Sequence, residues 1–347
     1  MSSQNQQGLN YLYDHAPEYG HKVTIRAGLS WVRLPLPFAL DHVNCWLLES
    51  DAGNCLIDTG VASTKIMAFW QQLLESKDNT PAQIDSIATL LVTHFHPDHS
   101  GLAGWFKDKG AQIVTSEIEW QLLHSLYQLE DDAYQNMYMQ WYARHGINQA
   151  AIDRVGKAGN AYRVKLNKPP VDASYLRAGD SVQLGDFEFT VHIGRGHAPD
   201  MLMLYSEQQN VLIAANQILP SITPNVSLTP RSVDQNPLAS FLDSIDALMD
   251  LPENTLVLPS HGIPFTGLHA RIKQIKSHHA LRCEQIIEAL KQEKTAAELF
   301  PLLFRRELDD QQLSFALGEA LAHIRYLEKQ SLVVRVDRDG VDYFRSA

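Results

Sequence analysis

Cysteine is scarce in this sequence: Cys45, Cys55 and Cys283 are the only three in 347 residues, an odd set without C-x-x-C spacing. That excludes a disulfide framework and gives no cysteine-rich zinc site. No apolar run reaches the roughly 18 residues a membrane helix needs. Residues 1–10 are polar and lack the basic-then-apolar order of a secretory signal, so a cytoplasmic protein is expected. Basic charge is also short, with 29 Lys and Arg against 40 Asp and Glu for a net charge of -11. Such a chain is a poor general binder of phosphate backbones or acidic membranes. Low-complexity segments and repeats of fixed period are absent as well. A hydrophobic content of 45% over this length can bury a large core, and the length allows two domains.

What the sequence does have is a concentration of metal-binding side chains. Thr93-His94-Phe95-His96-Pro97-Asp98-His99 places three imidazoles and a carboxylate in one H-x-H-x-D-H run, directly after the apolar stretch 87–92. A polar turn has no need of three histidines at that spacing. A strand feeding them into a tight loop can hold one transition metal, or two.

Around this run the chain twice gives strands first and helices afterwards. Short apolar runs at 22–26, 31–36, 44–49 and 55–58 predict antiparallel strands, 63–75 a helix, 87–93 a strand and 101–106 the start of a helix near the loop. A second block, 181–216, predicts strands at 187–193, 201–205 and 211–215, and 255–258 adds another. A sheet-on-sheet sandwich with helices outside satisfies both halves. Between them lies a long helical stretch, 117–159, with Trp120, Tyr127, Tyr134, Tyr138, Trp141 and Tyr142. These aromatics suit helix packing, and a segment so placed suits a lid.

The tail reads differently. Helical patterns at 280–291, 295–304 and 311–329 precede strands at 332–336 and 341–344 joined by Asp337-Arg338-Asp339-Gly340, the pattern of a winged helix. From 280 onward there are 10 Lys and Arg against 12 Asp and Glu. That balance is wrong for a phosphate-binding face, so a packing or dimerisation role is expected.

A dinuclear hydrolytic site wants roughly seven protein ligands, more than the loop supplies. His197, in Gly194-Arg195-Gly196-His197-Ala198-Pro199-Asp200, and His261, in Leu258-Pro259-Ser260-His261-Gly262, also stand at the ends of apolar strands. With Leu56-Ile57-Asp58-Thr59-Gly60 and Ala214-Ala215-Asn216-Gln217-Ile218-Leu219, these segments come in an order that resembles the metallo-β-lactamase fold superfamily of hydrolases, particularly its glyoxalase II-like branch. The resemblance runs from about residue 23 to 268. The tail resembles the winged C-terminal domain of some β-lactamase-like hydrolases, an endoribonuclease group among them.

What the resemblance implies is an α+β protein: a four-layer αββα sandwich over 1–279, with a helical insertion or lid at 117–165, and a small winged-helix domain at 280–347. It assigns one metal to His94, His96 and His197 and a second to Asp98, His99 and His261. Asp58 becomes the carboxylate that orients ligand imidazoles. Asp98 both ligates and orients the nucleophile. The seventh ligand departs from the pattern, because Asn216 stands where relatives carry a bridging Asp. An amide offers a carbonyl oxygen but not the negative charge that offsets two close dications. The expected cofactor is zinc, one ion or two, with iron or manganese accepting the same donors. The expected activity is metal-dependent hydrolysis of a small-molecule thioester, ester or lactone. The alternatives are a phosphodiesterase or ribonuclease, and a mononuclear or non-catalytic relative that lost the bridge.

Overall fold

Apolar residues that alternate along short strands need a second apolar surface, and each half of this chain supplies it to the other. The computed structural model describes residues 8–38, 40–51, 53–75, 87–155, 159–304 and 308–347. One seven-stranded sheet runs Lys22–Arg26, Leu29–Pro35, His42–Leu48, Asn54–Ile57, Ile87–Leu91, Gln112–Thr115, Ser174–Tyr175 in spatial order. It is antiparallel as far as Asn54–Ile57 and parallel beyond. The other seven-stranded sheet runs Asn10–Tyr11, Phe265–Thr266, Leu256–Pro259, Val211–Ala215, Met201–Ser206, Phe187–Gly194, Ser181–Leu184. Its one parallel pair joins Val211–Ala215 to Leu256–Pro259.

The inner faces meet through Trp31, Trp46, Ile57, Leu91, Phe189, Leu202, Ile213 and Leu258, all essentially inaccessible to water. Each outer face is covered by helices. Thr64–Glu75 lays Ile66, Trp70 and Leu73 on the first sheet, as its helical spacing demands. On the second, Pro237–Asp246 contributes Leu238, Phe241 and Ile245 and Leu268–Ala289 contributes Ile272 and Ile275. The layers are therefore αββα.

Three expectations change in detail. The helix expected at 101–106 forms as Ala103–Asp108, and a separate helical turn, Pro97–Ser100, lies within the histidine run itself. Proline at the first helical position has its φ preset for a helix, so winding starts inside the run. The stretch 117–159 divides into Glu117–Gln128, Asp131–Arg144 and Gln149–Val155, with 156–158 outside the described residues. Its largest aromatics are structural: Trp120 is buried with the first sheet's helices, Trp141 and Tyr142 with the second's. In the tail, the helix expected from 280 is the end of one 22-residue helix, Leu268–Ala289, which runs straight through position 279/280.

Beyond that helix, Asp310–Lys329 packs beside it. The strands Val333–Arg338 and Val341–Ser346 pair around Asp339 and Gly340, both at positive φ, as a two-residue hairpin turn requires. A third strand, Lys294–Thr295, joins the pair; two residues carry too little pattern to be read from sequence.

Candidate metal centre

Strand ends build the site. Ile87–Leu91 lies between parallel neighbours, so its carboxyl end opens into the loop carrying His94, His96, Asp98 and His99. His197 follows Phe187–Gly194, Asn216 follows Val211–Ala215, and His261 follows Leu256–Pro259. Two backbone bonds stitch the sheets together at this edge: Leu202 N–H donates to Thr93 O at 2.9 Å, and Asn44 N–H to Ser260 O at 2.7 Å. The donors thus converge from both halves of the chain.

They gather in two groups, His94 with His96 and His197, and Asp98 with His99 and His261; within each, donor atoms lie within 4.8 Å of one another. The division is the one the resemblance implies. Asp98 Oδ2 is 3.3 Å from His99 Nε2 and 3.6 Å from His261 Nε2.

The outer bonds of the rings orient them. His197 Nδ1 donates to Asn225 O at 2.8 Å, and His261 Nδ1 to His42 O at 2.6 Å. A carbonyl only accepts, so each Nδ1 carries the proton and the neutral ring presents a lone pair at Nε2. Asp58 does the same for two more rings. Its Oδ2 accepts from His99 Nδ1 at 2.7 Å and from the Thr93 hydroxyl at 2.9 Å, and that hydroxyl in turn accepts from His94 Nδ1 at 2.9 Å. Asp58 Oδ1 takes the Thr93 backbone N–H at 2.8 Å. His96 alone turns Nδ1 inward, 3.0 Å from His197 Nε2.

Inside this ring of bonds, four buried atoms have no hydrogen-bond partner among the described residues: Nε2 of His94, His99 and His261, and Oδ1 of Asn216. Buried polar atoms are nearly always satisfied, so four orphans in one place mark a position for something that accepts lone pairs. Imidazole nitrogens with a carboxylate and an amide oxygen are a donor set that fits a divalent transition metal.

Asn216 is 6% exposed, and its Nδ2 lies 3.0 Å from His197 Nε2. It follows Ala215, whose φ of +45° and irregular pairing with Pro259 break the strand at this point. A non-glycine residue in that conformation is strained, and here the strain aims the next side chain inward.

Burial sets the protonation pattern. It drives His94 and His96 well below the ordinary imidazole value, with neighbouring imidazoles adding to the effect, and takes His197 to about 4 and His261 to about 3. Burial also depresses His99, but Asp98 and Asp58 on either side outweigh it and push the ring up to about 10. Asp98 is held well below the usual carboxylate range: burial opposes this, and His99, His261 and His96 prevail.

Sequence reasoning missed Glu119. It is 1% exposed; Oε2 accepts the Phe95 N–H at 3.0 Å and Oε1 the Asp200 N–H at 2.6 Å, so one carboxylate clasps the histidine loop and the His197 loop together. Burial pushes it up to about 8, while the two amides pull the other way. Its local signal is misleading, because Ser116-Glu117-Ile118-Glu119 has the spacing of a capping box and Ser116 does cap the helix. Also missed were Thr93 and Tyr162, whose hydroxyl donates to Phe95 O at 2.6 Å.

Comparison with known proteins places these features in a family. Residues 39–261 match the family described as Metallo-beta-lactamase superfamily, and residues 283–347 match Metallo-beta-lactamase-like, C-terminal domain. The crystal structure of a Beta-lactamase domain protein from Burkholderia ambifaria superposes with a TM-score of 0.87 at 36% identity, covering 98% of each chain. Probable metallo-hydrolase YqjP of Bacillus subtilis is 23% identical over 91% of this chain and 97% of its own length. Acyl-coenzyme A thioesterase MBLAC2 of Bos taurus is 21% identical over 70% of this chain and 81% of its own.

Proposed function

The chain belongs to the metallo-beta-lactamase superfamily, and from that premise we propose that it is a metal-dependent hydrolase of small thioesters, with esters and lactones as neighbouring substrates. The observation that carries the reading is the set of four orphaned buried donors, His94, His99 and His261 Nε2 and Asn216 Oδ1, at the meeting point of the two sheets. Support for a thioester comes from the relative named as an acyl-coenzyme A thioesterase.

His94, His96 and His197 would hold one ion, and Asp98, His99 and His261 the other, and the Asn216 amide oxygen would be a further donor. Zinc suits this donor set, and iron or manganese accept it as well. When bound, such ions supply Lewis acidity toward a carbonyl oxygen and make water more acidic. The chain's own part is orientation. Asp58 fixes the His99 ring directly and the His94 ring through Thr93, so their Nε2 atoms point inward. His99, His261 and His96 favour the ionised form of Asp98, and its Oδ2 is the acceptor we assign to orienting water.

The test is turnover of a panel of thioesters, esters and lactones by metal-loaded protein beside His96→Ala. Hydrolysis of at least one thioester that falls by at least 100-fold in the variant is expected; equal rates in both proteins would remove the site. A nuclease reading needs a basic groove, and the tail's 10 Lys and Arg against 12 Asp and Glu speak against one.

A further inference from the structure

The tail reaches the metal centre through one loop. His197 gives its Nδ1 proton to the backbone oxygen of Asn225, in the irregular stretch that follows Asn216. A carbonyl in irregular chain is only as fixed as its neighbours, and here the helix Asp310–Lys329 holds the Asn225 side chain and the backbone of Leu228. Val226, fully buried, sits in one cluster with Leu313, Leu317 and Leu321 of that helix. Leu228 N–H donates to Gly318 O at 3.0 Å. Asn225 Nδ2 donates to Phe315 O at 3.3 Å and to Glu319 Oε2 at 3.4 Å, and Ser227 Oγ donates to Asn225 Oδ1.

Gly318 makes this approach possible. A Cβ there would lie 2.7 Å from Ser227 Oγ and 2.8 Å from Ser227 Cβ, closer than side-chain carbons come. Any larger residue must push away the loop that carries Asn225.

We infer that the tail helix is a positioning element of the metal centre: through Gly318 and Glu319 it holds the Asn225 carbonyl where that oxygen takes the His197 Nδ1 proton, which commits Nε2 of His197 to the inside of the site. Gly318 and Glu319 are positioning residues, some ninety or more positions beyond the loop they fix. The inference rests on the proposed metal site, but its direct consequence is the tautomer of one ring. A helix that merely packed on the loop would affect stability alone.

The experiment is long-range proton–nitrogen correlation NMR of the imidazoles in the metal-free protein, with the His197 signals assigned by their loss in His197→Gln. Wild type is expected to show the Nδ1–H form of His197, and so is Glu319→Gln, whose amide oxygen still accepts from Asn225. Glu319→Ala and Gly318→Val are expected to show His197 averaged between its two tautomers. On zinc titration, Glu319→Ala should bind one of its two ions about tenfold more weakly while Glu319→Gln matches wild type. If Gly318→Val does not fold, the Glu319 pair decides. An unchanged His197 pattern in Glu319→Ala overturns the inference. Failure of the hydrolase reading would look different: wild type would load metal and hydrolyse nothing, with the tautomer comparison unaffected.

Discussion

At the residue scale, the proposed two-ion site would have a charge problem at Asn216. Two dications held by these residues would repel, and an amide would offset their charge less than a carboxylate does. Asn216→Asp is therefore expected to raise metal content per chain after dialysis and to raise the thioester rate, as read by elemental analysis and steady-state assay. No gain in either would mean that another group already supplies the bridging charge. Glu119 poses a separate test. Its carboxyl is raised from 4.5 to about 8, so between those values the folded protein keeps a proton that the unfolded chain releases. Stability then falls as pH rises through that window. Glu119→Ala should lose this pH slope. It should also cost about 1–3 kcal/mol for each backbone amide left unpaired, measured as denaturant midpoints at pH 5 and pH 8. The two residues were unequally legible. Asn216 was visible because it sits in a readable motif. Glu119 was not, since its partners Phe95 and Asp200 are 24 and 81 positions away.

At the scale of elements, the histidine run is a strand end followed by a helical turn, and one glycine lets it dock. A Cβ on Gly101 would lie 2.6 Å from Gly60 O and 2.7 Å from Ala62 N, both backbone atoms with no room to yield. Gly60 and Thr59 take part in the same docking: their N–H groups donate to Asp98 O at 3.1 Å and His99 O at 3.0 Å. Gly101→Ala is expected to lower stability by about 1–3 kcal/mol, and to halve metal content or worse in the folded fraction. Wild-type metal content with a lowered melting temperature would show that the docking is only structural. Strands such as 211–215 and the helix near 63–75 were readable because their apolar period is local. The helix Leu268–Ala289 was read only from 280: its first half buries a single face, Leu268, Arg271, Ile272, Ile275 and His279, but Arg271 and His279 on that face interrupt the apolar period.

At the scale of the molecule, the tail shares its core with the sandwich. Trp141 and Tyr142, Phe241, Ile272 and Ile275, Leu317, Leu321 and Phe344 belong to one buried cluster. The charges agree with this sharing. Arg144 Nε and Nη2 reach the fully buried Asp342 at 3.1 and 2.8 Å, tying the insertion to the last strand. The protein is expected to unfold in one transition, with near- and far-ultraviolet dichroism coincident in denaturant. Two separated transitions would show the tail to be an independent unit. Among the described residues no helix is long and apolar enough to cross a membrane. The sequence by itself determined the strand-and-helix order, the donor types and their grouping into motifs, because these follow from short-range periodicity and chemical identity. Only the tertiary structure decided which groups orient the imidazoles of His94, His99, His197 and His261, that Glu119 clasps two loops, and that a helix near the C-terminus backs His197. Those contacts join residues far apart in the chain, where burial and hydrogen-bond satisfaction, not local pattern, select the partner.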